Sequence, residues 1–251
     1  MDLELTGKTV LVTGANRGTG QIIAETLARE GANVIRHSIA PQVGCVQGDI
    51  RSDEGTHSLL KHLKDHGAVI DILVNNYGTT DRHSWRNSDT DKWLQMYQIN
   101  VLSAARLAQA LMQPMREKGW GRILNVGTIG SHQPNNIMPA YYAAKGALAT
   151  MGVSLAKELS GTGVTVNTVS PGLILTPELE AGYRKKALRE GWGEDWQTIE
   201  QKLVESDFPN PCGRIARRDE VADLIAFLCS PKADFINGQN VRIDGGAVSY
   251  V

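Results

Sequence analysis

The chain has 251 residues, 41% of them hydrophobic and 21% charged, a composition that suits one large α/β domain. Its formal net charge of −1 gives neither nucleic acid nor an anionic membrane surface anything to hold, so neither is an expected partner. Cys45, Cys212 and Cys229 form no metal-ligand pattern, no apolar run reaches bilayer length, and the first residues lack signal-peptide order, so the expectation is a cytoplasmic protein with reduced cysteines and no metal.

Taken in order, short β-branched runs alternate with longer segments of helical periodicity. Residues 8–13 (KTVLVT) read as a buried strand, followed by glycines and a helix over 21–30. Strands are predicted at 33–36 and, weakly, at 44–47; too little chain lies between them for a full crossover helix. Helical stretches near 52–66, 90–117, 139–160 and 218–229 are separated by strands at 71–75, 121–126, 164–169 and 240–243. Such alternation implies a single doubly wound Rossmann-type α/β domain over residues 1–251, with a mostly parallel sheet of about seven strands and helices on both faces. The long excursion at 176–211, with Trp192 and Trp196, is predicted to be a lid over a substrate.

Two patterns carry chemistry. Directly after the first strand comes Thr13-Gly14-Ala15-Asn16-Arg17-Gly18-Thr19-Gly20. Glycines there let the backbone turn tightly and bring a helix N-terminus, with its free N–H groups and positive dipole end, against a pyrophosphate. A glycine cluster alone also fits a plain strand–helix turn; its place after the first strand of an alternating chain favours the dinucleotide. Further on, Tyr141 and Lys145 stand four residues apart, one turn along one helix face. An ammonium there favours the phenolate and tunes the tyrosine as a general acid. Leu148, Met151, Leu155 and Leu159 continue that side as an apolar stripe that docks the helix and turns the pair inward. Tyr142 is the rival acid but has no lysine four residues on.

The glycine spacing resembles the TGxxxGxG signature of the short-chain dehydrogenase/reductase family, and the resemblance runs along essentially the whole chain. Asp49-Ile50 resembles the segment that holds adenine. Asn75-Asn76-Tyr77-Gly78 is similar to NNAG, with tyrosine for alanine. Ser170-Pro171-Gly172 with Thr176 resembles the PGxxxT segment at the nicotinamide amide, and Asp244-Gly245-Gly246 the C-terminal DGG. The resemblance implies a cofactor site made of Gly14, Asn16, Arg17, Gly18, Thr19, Gly20, His37, Ser38, Asp49, Ile50, Asn76, Gly78, Tyr141, Lys145, Pro171, Gly172, Ile174 and Thr176. It implies a catalytic set of Asn100, Thr128, Tyr141 and Lys145. Thr128 stands thirteen residues before the tyrosine, where the family commonly has serine, with Ser131 as an alternative donor. Asn100 matches the asparagine that interrupts a long helix and holds a water leading from the lysine.

The stretch Arg36-His37-Ser38-Ile39 offers no carboxylate for a ribose 2′-OH, and Arg17 is suited to a 2′-phosphate, so NADP(H) is favoured over NAD(H). The implied function is hydride transfer between NADP(H) and a ketone or secondary alcohol. A β-ketoacyl thioester reductase is the alternative within enzymes, and a non-catalytic dinucleotide sensor the alternative of another class. Tyr77, Tyr142, Trp192 and Trp196 are candidates to wall a site for a bulky ketone. His57, His62 and His66, the cluster Arg116, Lys118 and Arg122, and the run 184–186 are read as solvated surface, and no role is assigned to His132. The family resemblance also implies a homo-oligomer, a tetramer or dimer.

Overall fold

In this computed structural model, which describes residues 1–80 and 82–249, seven strands pair side by side: β1 (Thr9–Val12), β2 (Asn33–Ser38), β3 (Val46–Gln47), β4 (Ile72–Asn75), β5 (Gly121–Val126), β6 (Val164–Pro171) and β7 (Asn240–Ile243). Their order is β3-β2-β1-β4-β5-β6-β7, with every pairing parallel. The β2–β3 link has no crossover helix, as the spacing predicts. Helices are α1 (Gly18–Arg29), α2 (Asp53–Asp65), α3 (Thr90–Tyr97), α4 (Ser103–Lys118), α5 (Pro139–Glu158), α6 (Pro177–Glu190), α7 (Trp196–Ser206) and α8 (Arg218–Cys229).

Alternation along the strands sorts the core into two layers. Val10, Val12, Ile72 and Val74 face one side, against Ile23 and Leu27 of α1 and Val221 and Ile225 of α8. Leu11, Leu73, Ile123 and Val166 face the other, against Leu59 and Leu63 of α2, Leu107 and Met115 of α4, and Leu159 just beyond α5. Leu11 and Ile123 are wholly buried, so truncating either to alanine should cost about 2–5 kcal/mol. The strand order reverses at β1, with β2 on one side and β4 on the other. Ligands of open parallel sheets bind in the crevice outside the carboxyl ends at such a reversal.

Three expectations are revised. The helix predicted over 90–117 is divided: a π-helical turn at Gln98–Leu102, carrying Asn100, separates α3 from α4. The 176–211 excursion contains two helices, and its Ala187, Ile199, Leu203 and Val204 form a small core of their own with Ile215. Of the cluster Arg116, Lys118, Arg122, only Arg116 and Lys118 lie at the surface. Gly119 ends α4 in the left-handed region (φ 73°) and turns the chain into β5, which carries Arg122 into the interior at 0% exposure. There it donates to the Gly121 carbonyl at 2.8 Å and pairs with Asp234, its guanidinium 4.4 Å from the Trp120 ring centroid. Lys118 is half-exposed but pairs with the buried Asp71 carboxylate, which also accepts the Thr9 N–H.

Candidate active site

The first wall of the crevice is the loop between β1 and α1. Gly14 and Gly18 have φ of 63° and 62°, values that favour glycine. Gly20 is required for a different reason: a Cβ there would overlap the Asn76 amide nitrogen and the Gly14 carbonyl oxygen. Asn76 Nδ2 itself donates to the carbonyls of Thr13 and Gly14, at 2.9 and 3.1 Å, and ties β4's end to the loop. Thr13 Oγ1 accepts from the N–H groups of Asn76 and Tyr77 at 3.0 and 2.9 Å. The N-terminus of α1 has no side-chain cap and no acidic residue in its first turn, and the space beside Gly18 is open. By contrast α2, α3, α6 and α7 are capped by Ser52, Asp89, Thr176 and Asp195. Uncapped N–H groups and an undischarged helix dipole suit a diphosphate, so the residues present fit a dinucleotide.

The far end of this wall differs from the sequence reading in detail. Arg36 is not a solvated charge: its Nε and Nη2 both donate to the Ala15 carbonyl, at 3.0 and 2.8 Å, and clasp the loop to β2. Arg17 is exposed, and Glu178 at the start of α6 feels its charge. His37 is wholly buried; its Nδ1 accepts the Gly14 N–H at 3.3 Å and its Nε2 lies 2.8 Å from the Gly48 carbonyl. Burial lowers its pKa, so the neutral ring braces the loop from behind. Ser38 is also buried and donates to the Ala40 carbonyl at 2.5 Å. Asp49 is half-exposed and chelated by Arg51, whose Nε and Nη2 approach at 2.8 and 2.7 Å; this pairing holds the carboxyl below its usual range. Ile50 beneath it is core. Tyr77 packs its backbone on Gly14 and senses Arg51 and Asp49 electrostatically.

The chemical wall rises from the ends of β4, β5 and β6. Thr128 follows β5 and is the N-terminal residue of a short 3₁₀ turn, Ile129–Ser131. Its hydroxyl acts on the Tyr141 phenol, which α5 presents from its first turn, and opposes the rise in that phenol's pKa. Ser131, the alternative donor, gives its proton to the Thr128 carbonyl at 2.7 Å and is thereby occupied. Lys145, one turn after Tyr141, is 3% exposed and donates to the Val126 carbonyl at 2.8 Å. Burial holds its pKa down at about 8. Burial also pushes the Tyr141 phenol up to about 12, reinforced by Tyr142 and opposed by the Thr128 hydroxyl. Lys145 Nζ lies 6.0 Å from the Tyr141 ring centroid, and in the chain alone desolvation outweighs the expected pull of its ammonium on the phenol.

Asn100 sits in the π turn, where the altered hydrogen-bond register frees main-chain groups. Its Nδ2 donates to the carbonyls of Met96 and Thr79, both at 3.1 Å, and its Oδ1 accepts the Thr79 N–H at 3.2 Å. Gly78 lies against it: a Cβ on Gly78 would stand 2.7 Å from Asn100 Oδ1 and 3.2 Å from Lys145 Nζ. The floor is Pro171-Gly172, where Gly172 N–H reaches the Ile243 carbonyl at 2.9 Å and a Cβ would stand 3.1 Å from Asp244 Cα. Ile174 bridges to Ala216, and Thr176 Oγ1 accepts the Leu179 N–H at 3.2 Å as the cap of α6.

The aromatic wall expected for a bulky ketone does not assemble. Trp192 and Trp196 belong to the small core of the 176–211 segment, under Lys186 and Arg184. These two cations, read as solvated, also pair with Asp207 and Glu180. Beside Ile129 is a cavity of about 160 Å³, lined by Gly172, Phe208, Asn210, Arg214 and Asp244 among others. His57, His62 and His66 are exposed on and just after α2, and among the described residues no cluster suited to a metal is present. Sequence reasoning missed Thr13, the Arg36 clasp, the Val126 carbonyl under Lys145 and the packing of Tyr142. The first three are backbone contacts, which leave no residue-type signature.

Fold and crevice together define a dinucleotide-dependent dehydrogenase of the doubly wound class. Residues 14–248 match a family profile described as enoyl-(acyl carrier protein) reductase. The chain is 35% identical to the 3-oxoacyl-[acyl-carrier-protein] reductase of Vibrio cholerae, covering 97% of this chain and 98% of that one. Among solved structures it is similar to L-sorbose reductase from Gluconobacter frateurii, complexed with NADPH and L-sorbose, at 30% identity and a TM-score of 0.89 over 100% of both chains. It is also similar to a 3-oxoacyl (acyl-carrier-protein) reductase from Agrobacterium tumefaciens with NADP bound, at 28% identity and a TM-score of 0.85 over 98% of this chain and 96% of that one. The chain belongs to the short-chain dehydrogenase/reductase family of oxidoreductases.

Proposed function

We propose that this chain interconverts a ketone and a secondary alcohol with NADP(H), and that Tyr141 is its general acid. The observation that carries the reading is the partly buried Tyr141 phenol, which senses the Thr128 hydroxyl and is followed one turn later by buried Lys145. The dinucleotide, held by the Gly14–Gly20 loop, Asn76, Gly78 and the Pro171–Thr176 segment, supplies the hydride when bound. The hydroxyls of Thr128 and Tyr141 donate to the carbonyl oxygen, where negative charge develops, and Tyr141 Oη releases its proton there. Lys145 carries a positive charge next to the phenolate that results. Lys145 Nζ and Asn100 Oδ1 converge on Gly78, 3.2 and 2.7 Å from where a Cβ there would stand, and this proximity of the two groups supports a water relay that restores the proton.

A phenol pushed up to about 12 keeps its proton at neutral pH. That is the form needed for carbonyl reduction, while alcohol oxidation needs the phenolate. The rate of oxidation should therefore rise with pH, while the group needed for reduction is already in its protonated form at neutral pH. The missing carboxylate at the end of β2 and the cofactors named for the two neighbouring structures support NADP(H), with Arg17 toward the 2′-phosphate.

The thioester reading is favoured by the curated relatives, yet a carrier surface at Arg116, Lys118 and Arg122 is weakened, because Arg122 is buried and Lys118 is paired. The cavity beside Ile129 has mixed walls, with Phe208, Ile215 and Ile243 beside Asn210, Arg214 and Asp244, and the likeness to L-sorbose reductase supports a compact polar ketone. Exposed Leu102, Val153 and Phe235 support a homo-oligomer, and the free cysteines fit a cytoplasmic setting. The test is NADPH and NADH oxidation against a ketose, an acetoacetyl thioester and an aryl ketone. NADPH-preferring turnover of the ketose is expected; turnover of none of them would overturn the reading.

A further inference from the structure

The position after the catalytic tyrosine carries a second tyrosine, and its ring lies where a side chain at residue 130 would have to go. A Cβ built on Gly130 would overlap Cε1 and Cδ1 of Tyr142 and stand 3.0 Å from Cζ. Gly130 is buried, and its φ is not among the positive ones, so glycine is demanded here by space and not by backbone conformation. The Tyr142 ring crosses beneath the 3₁₀ turn, and its phenol is hydrogen-bonded to Asn135 on the loop beyond. Tyr142 is 9% exposed, with its ring centroid 5.6 Å from that of Tyr141. One rigid aromatic thus touches both the turn that carries Thr128 and the residue that Thr128 addresses.

The Gly130 N–H donates to Thr128 Oγ1 at 3.2 Å. With that lone pair engaged, the hydroxyl's single proton is left to point away from the turn, toward Tyr141 and the space a carbonyl oxygen occupies. Any movement of Gly130 moves this N–H and rotates the hydroxyl. We propose that Tyr142 is a positioning residue: its ring, seated against Gly130, fixes the Thr128–Ser131 turn and so aims the Thr128 hydroxyl. The proposal rests on the reading that Thr128 and Tyr141 donate to the substrate oxygen. The phenol of Tyr142 is secondary to the ring, because the contact with Gly130 is made by carbon.

The test is a double-mutant cycle on NADPH-dependent reduction of the ketone turned over best, with NADPH affinity measured by fluorescence. Gly130→Ala is expected to lower kcat about tenfold in the wild-type background and less than about twofold in a Tyr142→Ala background, where the ring is gone. Tyr142→Ala alone should lower kcat about fivefold, while Tyr142→Phe keeps it within about twofold, and NADPH affinity should be unchanged throughout. Equal losses from Gly130→Ala in both backgrounds would overturn the proposal, as would full kcat in Tyr142→Ala. If Gly130→Ala does not fold, the contrast between Tyr142→Phe and Tyr142→Ala decides alone, and equal kcat in the two overturns the proposal. Tyr141→Phe runs as the control. If it keeps turnover, the underlying reading fails; if it loses turnover while the cycle shows no coupling, only the positioning role fails.

Discussion

The chemical half of the crevice is anchored by two buried groups, Lys145 and Asn100, whose partners are backbone atoms, whereas Asp49, Arg51 and Arg17 at the opposite end are exposed or half-exposed charges. Lys145 rests on the Val126 carbonyl and Asn100 on Thr79 and Met96. At the other end Asp49 is chelated by Arg51, and Arg17 stands in solvent near Glu178. Groups of the first kind are held by the sheet and lose little by binding. Groups of the second kind must exchange partners when a ligand arrives, and exposed pairs of this sort contribute about 1 kcal/mol or less. Substitutions should therefore act strongly and through kcat at the chemical end, and weakly and through affinity at the adenine end.

The largest break is expected at Lys145. Replacing it by methionine should lower turnover about a thousandfold. The same change should stabilise the fold by about 2 kcal/mol at pH 7, because it removes a buried ammonium whose pKa has fallen from 10.5 to about 8. Between those two values the unfolded wild type still holds a proton that the folded chain has released. Wild-type stability thus rises with pH across that window, and the gap to the variant closes. Denaturant titrations at pH 7 and pH 10 check the sign.

Gly20→Ala comes next, since its methyl would overlap Asn76 and the Gly14 carbonyl and push the loop off β4. NADPH affinity should weaken about a hundredfold, read by fluorescence titration, with the fold retained by circular dichroism. Gly78→Ala would press a methyl on Asn100 Oδ1 and Lys145 Nζ, displace them, and should lower kcat about tenfold while leaving KM nearly unchanged. At the adenine end, Arg17→Ala should shift the NADPH-over-NADH preference by only about fivefold. Arg36→Ala releases the Ala15 carbonyl and should weaken both cofactors alike. Equal loss of both cofactors in Arg17→Ala would move the 2′-phosphate contact away from it.

The same contrast explains what the sequence made legible. Strand–helix alternation, the glycine loop and the Tyr141–Lys145 spacing are set by backbone geometry and period, so they show in residue types. The bounds of β5 and β7 were readable to the residue. The division of the long helix was legible only through Asn100, since nothing in the periodicity marks a π turn. Arg122 was misread because charge alone says surface, while one left-handed glycine just upstream turned it inward. His37 and Ser38 were placed by position along β2, yet both spend their polar atoms inside the fold. The Tyr142–Gly130 contact joins two residues twelve apart that share no motif, and only three-dimensional packing shows it.

The central claim is that Tyr141 delivers the proton. The direct measurement is ketone-dependent NADPH oxidation by wild type and Tyr141→Phe at equal cofactor saturation, with NADPH affinity determined for both. The account predicts a loss of about a thousandfold or more in kcat with cofactor affinity within about twofold. A variant that keeps kcat within about tenfold would contradict it, and the acid would have to be sought elsewhere in the crevice.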